Sequence, residues 1–261
     1  MKIDKGVNVF FSPTGGTKKV IQHLSAGLQI NMDELDLTDK DENGDGRTFD
    51  KDELAVIAVP SYGGRVPAPA ADKLRCLKGN RTPAVIISVY GNRASEDTLA
   101  ELKEILTENG FVCIAAAEAV AEHSIMRCFG TGRPDEQDRQ ELFQFGRTIA
   151  QRLQEAEDIG HLNEVRLSDE RPWRSYNGVP FKPEASKKCI RCLKCVKHCP
   201  VGAISKEHPE KTNKNLCISC MGCISVCPVQ ARKVNPVLLK AAEEMSRGKF
   251  EKRKDNHLYL E

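Results

Sequence analysis

Cys189-Ile190-Arg191-Cys192-Leu193-Lys194-Cys195-Val196-Lys197-His198-Cys199-Pro200 and Cys217-Ile218-Ser219-Cys220-Met221-Gly222-Cys223-Ile224-Ser225-Val226-Cys227-Pro228 are two copies of one pattern. In each copy three cysteines are separated by two residues, and a fourth follows after three more, directly before proline. Three cysteines at that interval wrap a tight loop around one face of a cubane iron–sulfur cluster, with backbone N–H groups directed at its sulfurs. The fourth cannot reach back to the same face and is expected to serve a second cluster. Zinc usually takes two Cys-x2-Cys pairs rather than triple-plus-one runs ending in Cys-Pro. Disulfides do not persist in a reducing compartment, so eight of 11 cysteines crowded between Cys189 and Cys227 indicate metal ligation. Two [4Fe–4S] clusters are expected on Cys189, Cys192, Cys195, Cys199, Cys217, Cys220, Cys223 and Cys227. Ala203-Ile204 and Ala231 occupy equivalent places after the two Cys-Pro turns and are expected to shield the clusters from water.

Upstream, the pattern changes. Over the first 155 or so residues, strand-like and helix-like segments alternate, which predicts a parallel α/β sheet. Strands are expected at Val7–Phe11, Asp33–Leu37, Leu54–Pro60, Ala84–Tyr90 and Phe111–Val120. The continuous apolar run of Leu54–Pro60 suits a strand buried on both faces. Helices are expected over Gly16–Leu28, Ala68–Leu77, Ser95–Glu108 and Pro134–Glu157, with Ser95 as an N-cap and Asn109-Gly110 as a stop. Five strands with such connections suit a doubly wound, flavodoxin-like sheet. Its ligands bind outside the carboxyl ends of the strands.

Three loops fall at those ends. The first is Phe11-Ser12-Pro13-Thr14-Gly15-Gly16-Thr17-Lys18. It is neither a P-loop nor Gly-x-Gly-x-x-Gly, but it matches the Ser/Thr-x-Thr-Gly-x-Thr loop that holds an FMN phosphate. Glycines let backbone N–H groups close around an anion at a helix N-terminus, and the hydroxyls of Ser12, Thr14 and Thr17 add donors. Lys18 and Lys19 are expected to face solvent. The other two loops are Pro60-Ser61-Tyr62-Gly63-Gly64-Arg65 and Ser88-Val89-Tyr90-Gly91-Asn92-Arg93. Each offers a tyrosine able to stack on a flavin ring and glycines that let the backbone approach its edge. Ordinary glycine turns with half-buried tyrosines are the plainer alternative. The candidate flavin-binding residues are Ser12, Thr14, Gly15, Gly16, Thr17, Pro60, Ser61, Tyr62, Gly63, Gly64, Tyr90, Gly91, Asn92 and Arg93.

Taken together, Phe11–Thr17, Val59–Pro67, Tyr90–Leu99 and the double cysteine run resemble the flavodoxin–ferredoxin fusion proteins of anaerobic prokaryotes. The resemblance spans nearly the whole chain. It implies a five-stranded doubly wound domain followed by a small α+β 2[4Fe–4S] ferredoxin-like domain, carrying FMN and two clusters. It also implies one cluster on Cys189, Cys192, Cys195 and Cys227, and the other on Cys217, Cys220, Cys223 and Cys199. The expected organisation is 1–158 for the FMN domain, 159–183 for a linker, 184–235 for the cluster domain and 236–261 for a C-terminal helix and mobile charged tail. Trp173, the only tryptophan, is expected to anchor the contact between domains.

The expected function is electron relay between clusters and FMN, with a redox partner protein left open. The rival is a flavin-dependent reductase of a small acceptor, with His123, Cys128 or Tyr62 as proton donor. Residues 1–158 carry 19 Lys/Arg against 26 Asp/Glu, and residues 187–235 carry 10 against 2. The basic segment interleaves with ligands and matches no nucleic-acid-binding motif, so it reads as compensation for anionic clusters. No apolar run approaches a membrane span, and Met1-Lys2-Ile3-Asp4 leads straight into a strand. A cytoplasmic protein is expected, without membrane insertion. Asp41-Glu42-Asn43-Gly44-Asp45-Gly46, followed by Asp52, copies the spacing of a calcium loop. Thr48, Phe49 and the preceding strand argue instead for an acidic connection.

Overall fold

The computed structural model describes residues 1–42, 46–168 and 171–260. Residues 43–45, at the centre of the acidic loop, lie outside the described residues, and the calcium-loop question lies there with them.

The first half is a sheet threaded through helices. It runs β1 (Lys5–Phe10), α1 (Gly16–Leu28), β2 (Met32–Asp36), β3 (Thr48–Phe49), β4 (Glu53–Pro60), α2 (Ala68–Leu74), β5 (Lys78–Gly79), β6 (Thr82–Tyr90), α3 (Thr98–Glu108), β7 (Phe111–Val120) and α4 (Glu136–Glu155). The second half continues with a short turn of helix at Ile159–His161, then β8 (Glu184–Ala185), α5 (Lys194–Lys197), α6 (Gly222–Ser225), β9 (Arg232–Lys233), α7 (Pro236–Phe250) and β10 (His257–Tyr259). The main sheet has the order β10-β7-β6-β4-β1-β2. Its five long strands pair in parallel, and in chain order they lie 2-1-3-4-5. That is the doubly wound flavodoxin-like order, with its switch point beside β1. The central strands β4 and β6 are buried almost throughout because helices cover both faces. One apolar layer joins the sheet to α2 and α3, the other to α1 and α4.

Several boundaries moved for local reasons. Ser95 does not cap α3: its Oγ donates inward to Ser88 Oγ at 2.7 Å, and the helix begins at Thr98. Pro134 precedes α4 rather than opening it. Asp135 is the N-cap, and its side chain and that of Asp138 form a reciprocal capping box.

The largest departure is the C-terminal tail. It is not a free end: β10 pairs antiparallel with β7 as a sixth strand, Leu258 opposite Ala117. An open β7 edge would present unpaired N–H and C=O groups, and β10 covers them. The tail is fastened by Asn256, whose Oδ1 accepts from Val120 N at 2.9 Å and whose Nδ2 donates to Asp138 and Glu141. The linker is strapped down too. Val165 N donates to Cys113 O at 2.8 Å, Arg171 pairs with Glu104, and Arg174 N donates to Asp97 Oδ2 at 2.7 Å. Trp173 is half-buried and belongs to none of the apolar clusters; the Arg171 guanidinium lies 4.1 Å from its ring centroid. Tyr176 holds the place expected of it, packed against Gly63. Among the described residues no helix is long and apolar enough to cross a membrane.

Candidate functional site

The loop after β1 is shaped for an anion. Gly15 has φ 88° and opens α1 with no side-chain cap, a conformation that costs glycine least. Ser12 is buried and works as scaffold: its N–H donates to Thr38 Oγ1 at 2.6 Å, and its Oγ accepts from Lys18 N at 2.9 Å. Lys18 is not simply solvated, since its Nζ reaches Glu34 Oε2 at 2.6 Å. Thr14 is exposed and Thr17 buried beside the helix start.

The loop after β4 is a tight reversal. Tyr62 and Arg65 exchange both backbone hydrogen bonds, and Gly63 and Gly64 between them have φ 61° and 86°. Two positive φ angles in succession make this a type I′ turn, which favours glycine. Both glycines lie under the linker: a Cβ on Gly63 would strike the Tyr176 ring, and one on Gly64 would strike Glu96 and Arg174.

Between these loops is a cleft of about 70 Å³, lined in part by Thr14, Gly16, Thr17, Pro60, Ser61 and Tyr62. Tyr90 and Gly91 also line it. Six of the candidates lie off it. Ser12 sits behind the loop, Gly15 forms its turn, Gly63 and Gly64 are covered by the linker, and Arg93 pairs with Glu96. Asn92 faces the tail: its Nδ2 donates to the carbonyls of Phe250 and Lys252, and its Oδ1 accepts from Lys254 N. Tyr90 OH likewise donates to Asp255 O at 3.0 Å, and burial and Glu118 push the phenol up to about 12.

Glu122, His123 and Ser124, which follow β7, also line it, as do Pro13, Val89 and Ala121. Their position at a strand end was legible; the approach of His123 to Gly91 was not. His123 Nδ1 accepts from the N–H groups of Ile125 and Met126, and the ring stacks 6.0 Å from Phe250. Burial, then Arg93, lowers its pKa to about 4, so the imidazole is neutral at pH 7 and carries its proton on Nε2. Cys128 faces Glu243 and Arg247 of α7 and is not part of the cleft lining. A second chamber of about 160 Å³ adjoins the cleft through Thr14, Gly16, Glu122 and Ser124, with Lys19 and Arg127 on its wall.

The two cysteine loops repeat one backbone. Arg191 and Leu193 flank Cys192 with φ 54° and 59°; Ser219 and Met221 flank Cys220 with φ 57° and 62°. Left-handed residues alternating with right-handed ones turn successive N–H groups inward, forming a nest for an anion. The fourth cysteines match as well. Ala203 N donates to Cys199 Sγ and Ala231 N to Cys227 Sγ, each at 3.2 Å. Ala203 and Ala231, foreseen as part of an apolar shell, thus also supply N–H donors to the sulfurs.

The runs cross over. Cys189, Cys192, Cys195 and Cys227 line one small cavity. The charges bearing most on Cys220 are those of Cys223, Cys199 and Cys217. Burial first pushes the Cys220 and Cys223 thiols up to about 12. At Cys227 burial is outweighed by N–H donors from Arg232, Ala231 and Val229, and the thiol falls below its ordinary value. A cluster held here would displace protons from Cys220 and Cys223. Among the described residues no three His, Cys, Asp or Glu side chains are arranged to hold a single metal ion. Residues 188–232 match the family model described as a 4Fe-4S dicluster domain. This segment is an iron–sulfur domain.

No curated protein matches the chain. Among solved structures, it is similar to a flavodoxin from the domain Archaea (15% identity, 57% of this chain and 99% of that one, TM-score 0.38). It is also similar to a flavodoxin of Streptococcus pneumonia TIGR4 (18%, 57% and 99%, TM-score 0.39). A third is the rubredoxin oxygen:oxidoreductase of Desulfovibrio gigas (14%, 59% and 37%, TM-score 0.40), of which the chain spans about a third. At these scores it is the strand order, not the likeness, that carries the fold.

The dicluster domain docks by its inner cysteines. Of the inner set Cys199, Cys220 and Cys223 are buried and Cys217 is half-exposed; of the other set Cys192 is exposed and Cys189, Cys195 and Cys227 are half-exposed. Tyr62 lies between the cleft and this inner set; burial, then Cys220, Tyr176 and Cys217, raise its phenol well above the usual value. The anion loop touches the domain directly. Pro13 O accepts from His198 Nε2 at 2.8 Å and from Ser225 Oγ at 3.2 Å.

Proposed function

We propose that the chain is a cytoplasmic electron carrier that relays electrons between two [4Fe–4S] clusters and FMN. The dicluster domain would hold an outer cluster on Cys189, Cys192, Cys195 and Cys227 and an inner one on Cys217, Cys220, Cys223 and Cys199. The anion loop and Tyr62 would hold FMN. Clusters take one electron each, and a flavin takes one or two. One observation carries the reading: the set with three buried cysteines abuts Tyr62, a wall of the cleft, while no cysteine of the other set is buried. The exposed set is then the point of exchange with a partner protein, and the buried set the point of exchange with the cleft.

The loop end suits a phosphate. The ring end is narrow, since about 70 Å³ is a fraction of the ~300–1,000 Å³ usual for ligand pockets. Seating a ring requires the Tyr62, Tyr90 and His123 side chains to part.

The proposed domains are 1–158 and 184–235, joined by 159–183. Helix α7 and the tail, 236–261, return to the first sheet. The linker holds the halves at about millimolar effective concentration even before docking. Formal residue charges of −7 on 1–158 and, before the anionic clusters, +8 on 187–235 steer the halves together, a contrast that cluster charge reduces and salt screens. Rapid mixing of reduced protein with a flavin-specific oxidant, following cluster and flavin absorbance together, tests the relay. We expect cluster reoxidation at a rate independent of protein concentration. A rate that rises in proportion to concentration places the exchange between molecules and defeats the relay.

A cavity of about 790 Å³, bounded by Tyr62, Tyr176, Lys182, Leu216 and Cys217, favours a second reading. It is large enough for a small acceptor. Catalytic turnover of such an acceptor by the reduced protein, without a partner protein, would mark the chain as a reductase.

A further inference from the structure

Two side chains of the dicluster domain converge on one carbonyl of the other half. His198 Nε2 donates to Pro13 O at 2.8 Å, and Ser225 Oγ lies 3.2 Å from the same oxygen, its one hydroxyl proton shared with Gly222 O at 2.8 Å. They come from opposite copies of the cysteine repeat. His198 follows α5 and precedes Cys199; Ser225 ends α6, two residues after Cys223. Gly222 leaves space for the approach, because a Cβ there would meet Pro13 O at 3.1 Å and His198 Cδ2 at 3.0 Å.

The carbonyl they hold belongs to the Pro13–Thr14 peptide. The cis peptide bonds of the described chain are Arg133–Pro134 and Arg171–Pro172, so this one is trans. In a planar trans peptide the C=O and the next N–H point in opposite directions. Holding Pro13 O toward the dicluster domain therefore turns the Thr14 N–H away from it. A carbonyl that accepts the His198 hydrogen bond and a share of the Ser225 one also polarises its own peptide and strengthens that N–H as a donor. The same domain adds a wall: Met221, Ile224 and Ser225 line the 160 Å³ chamber with Thr14 and Gly16.

We propose that His198 and Ser225 are positioning residues for the anion loop, which aim the Thr14 N–H at a phosphate monoester and so make its binding depend on the docked dicluster domain. The coupling is reciprocal: whatever affinity docking lends the phosphate, the phosphate lends to docking. The inference rests on the assignment of Ser12–Thr17 as the FMN phosphate loop.

The test is a competition. Anaerobically purified holoprotein is equilibrated with mixtures of FMN and riboflavin, and the bound flavins are separated and quantified, with iron and sulfide measured on the same samples. Wild type should select FMN. His198→Ala/Ser225→Ala should lose about tenfold of that selectivity, as expected for two hydrogen bonds worth about 0.5–1.5 kcal/mol each. Its iron, sulfide and riboflavin uptake should stay unchanged. A merely structural role would depress FMN and riboflavin together. His198→Gln, which keeps an N–H donor, should recover most of the selectivity lost in His198→Ala. Should His198→Ala shed iron, exposed Ser225→Ala alone decides, with an expected drop of about threefold. Full selectivity in the double variant, in protein whose wild type selects FMN, overturns the inference. No selectivity in wild type overturns the loop assignment beneath it.

Discussion

Cys199→Ala should remove about four of about eight irons per chain and, with them, the electronic connection to the cleft. Cys199 belongs by sequence to the first run, but it is buried like Cys220 and Cys223, shares an apolar cluster with Cys223 and the half-exposed Cys217 and Cys195, and bears electrostatically on Cys220. Cys227 belongs to the second run and lines the cavity of Cys189, Cys192 and Cys195. The two substitutions should therefore have opposite consequences. Cys199→Ala leaves the solvent-facing cluster, reducible by an external donor but slow to discharge through the flavin. Cys227→Ala leaves the buried cluster, still able to exchange with the cleft but reached poorly by large donors. Iron and sulfide analysis, EPR of the reduced variants and the rapid-mixing experiment separate the two. If Cys199→Ala retains fast exchange with the flavin and Cys227→Ala loses it, the crossed ligand sets are wrong.

The second large effect lies far from the cysteines. Asp138→Ala should lower the thermal midpoint by about 10 °C, from a loss of about 3–5 kcal/mol on breaking a buried ion pair. Arg133 and Asp138 are 4% and 1% exposed and meet through two hydrogen bonds. Asp138 also closes the capping box of α4 and accepts from Asn256 of the tail, while Arg133 donates to Lys254 O at 2.8 Å. Removing the carboxylate strands the guanidinium and unfastens β10. Trypsin should then cut near Arg253 and Lys254, which it should spare in wild type. The double change Arg133→Met/Asp138→Leu should recover part of the loss, because apolar replacement of a buried pair is often neutral. Differential scanning at one scan rate, with limited proteolysis, checks both. A midpoint within 2 °C of wild type would show that the pair contributes little.

Features set by residues close along the chain were legible before any folding was known. Cysteine spacing dictates which backbone can wrap a cubane, and the repeated left-handed residues beside Cys192 and Cys220 follow that spacing. Apolar runs such as Leu54–Pro60 and the Thr14–Thr17 turn belong to one strand or one loop, so local pattern suffices for them. Tertiary structure decided whatever depends on residues far apart in the chain. The tail has no strand signature beyond His257–Tyr259, and its place comes from the open edge of β7. Tyr176 rather than Trp173 meets the Gly63 turn because the linker's course brings that residue to the glycine. Asn92 and Tyr90, read as flavin contacts, are bonded to carbonyls more than 150 residues away. The same holds for Pro13 and His198, 185 residues apart, whose meeting joins the two halves. A short window registers periodicity and turn chemistry, but which distant carbonyl a polar side chain reaches depends on how the packed layers come together.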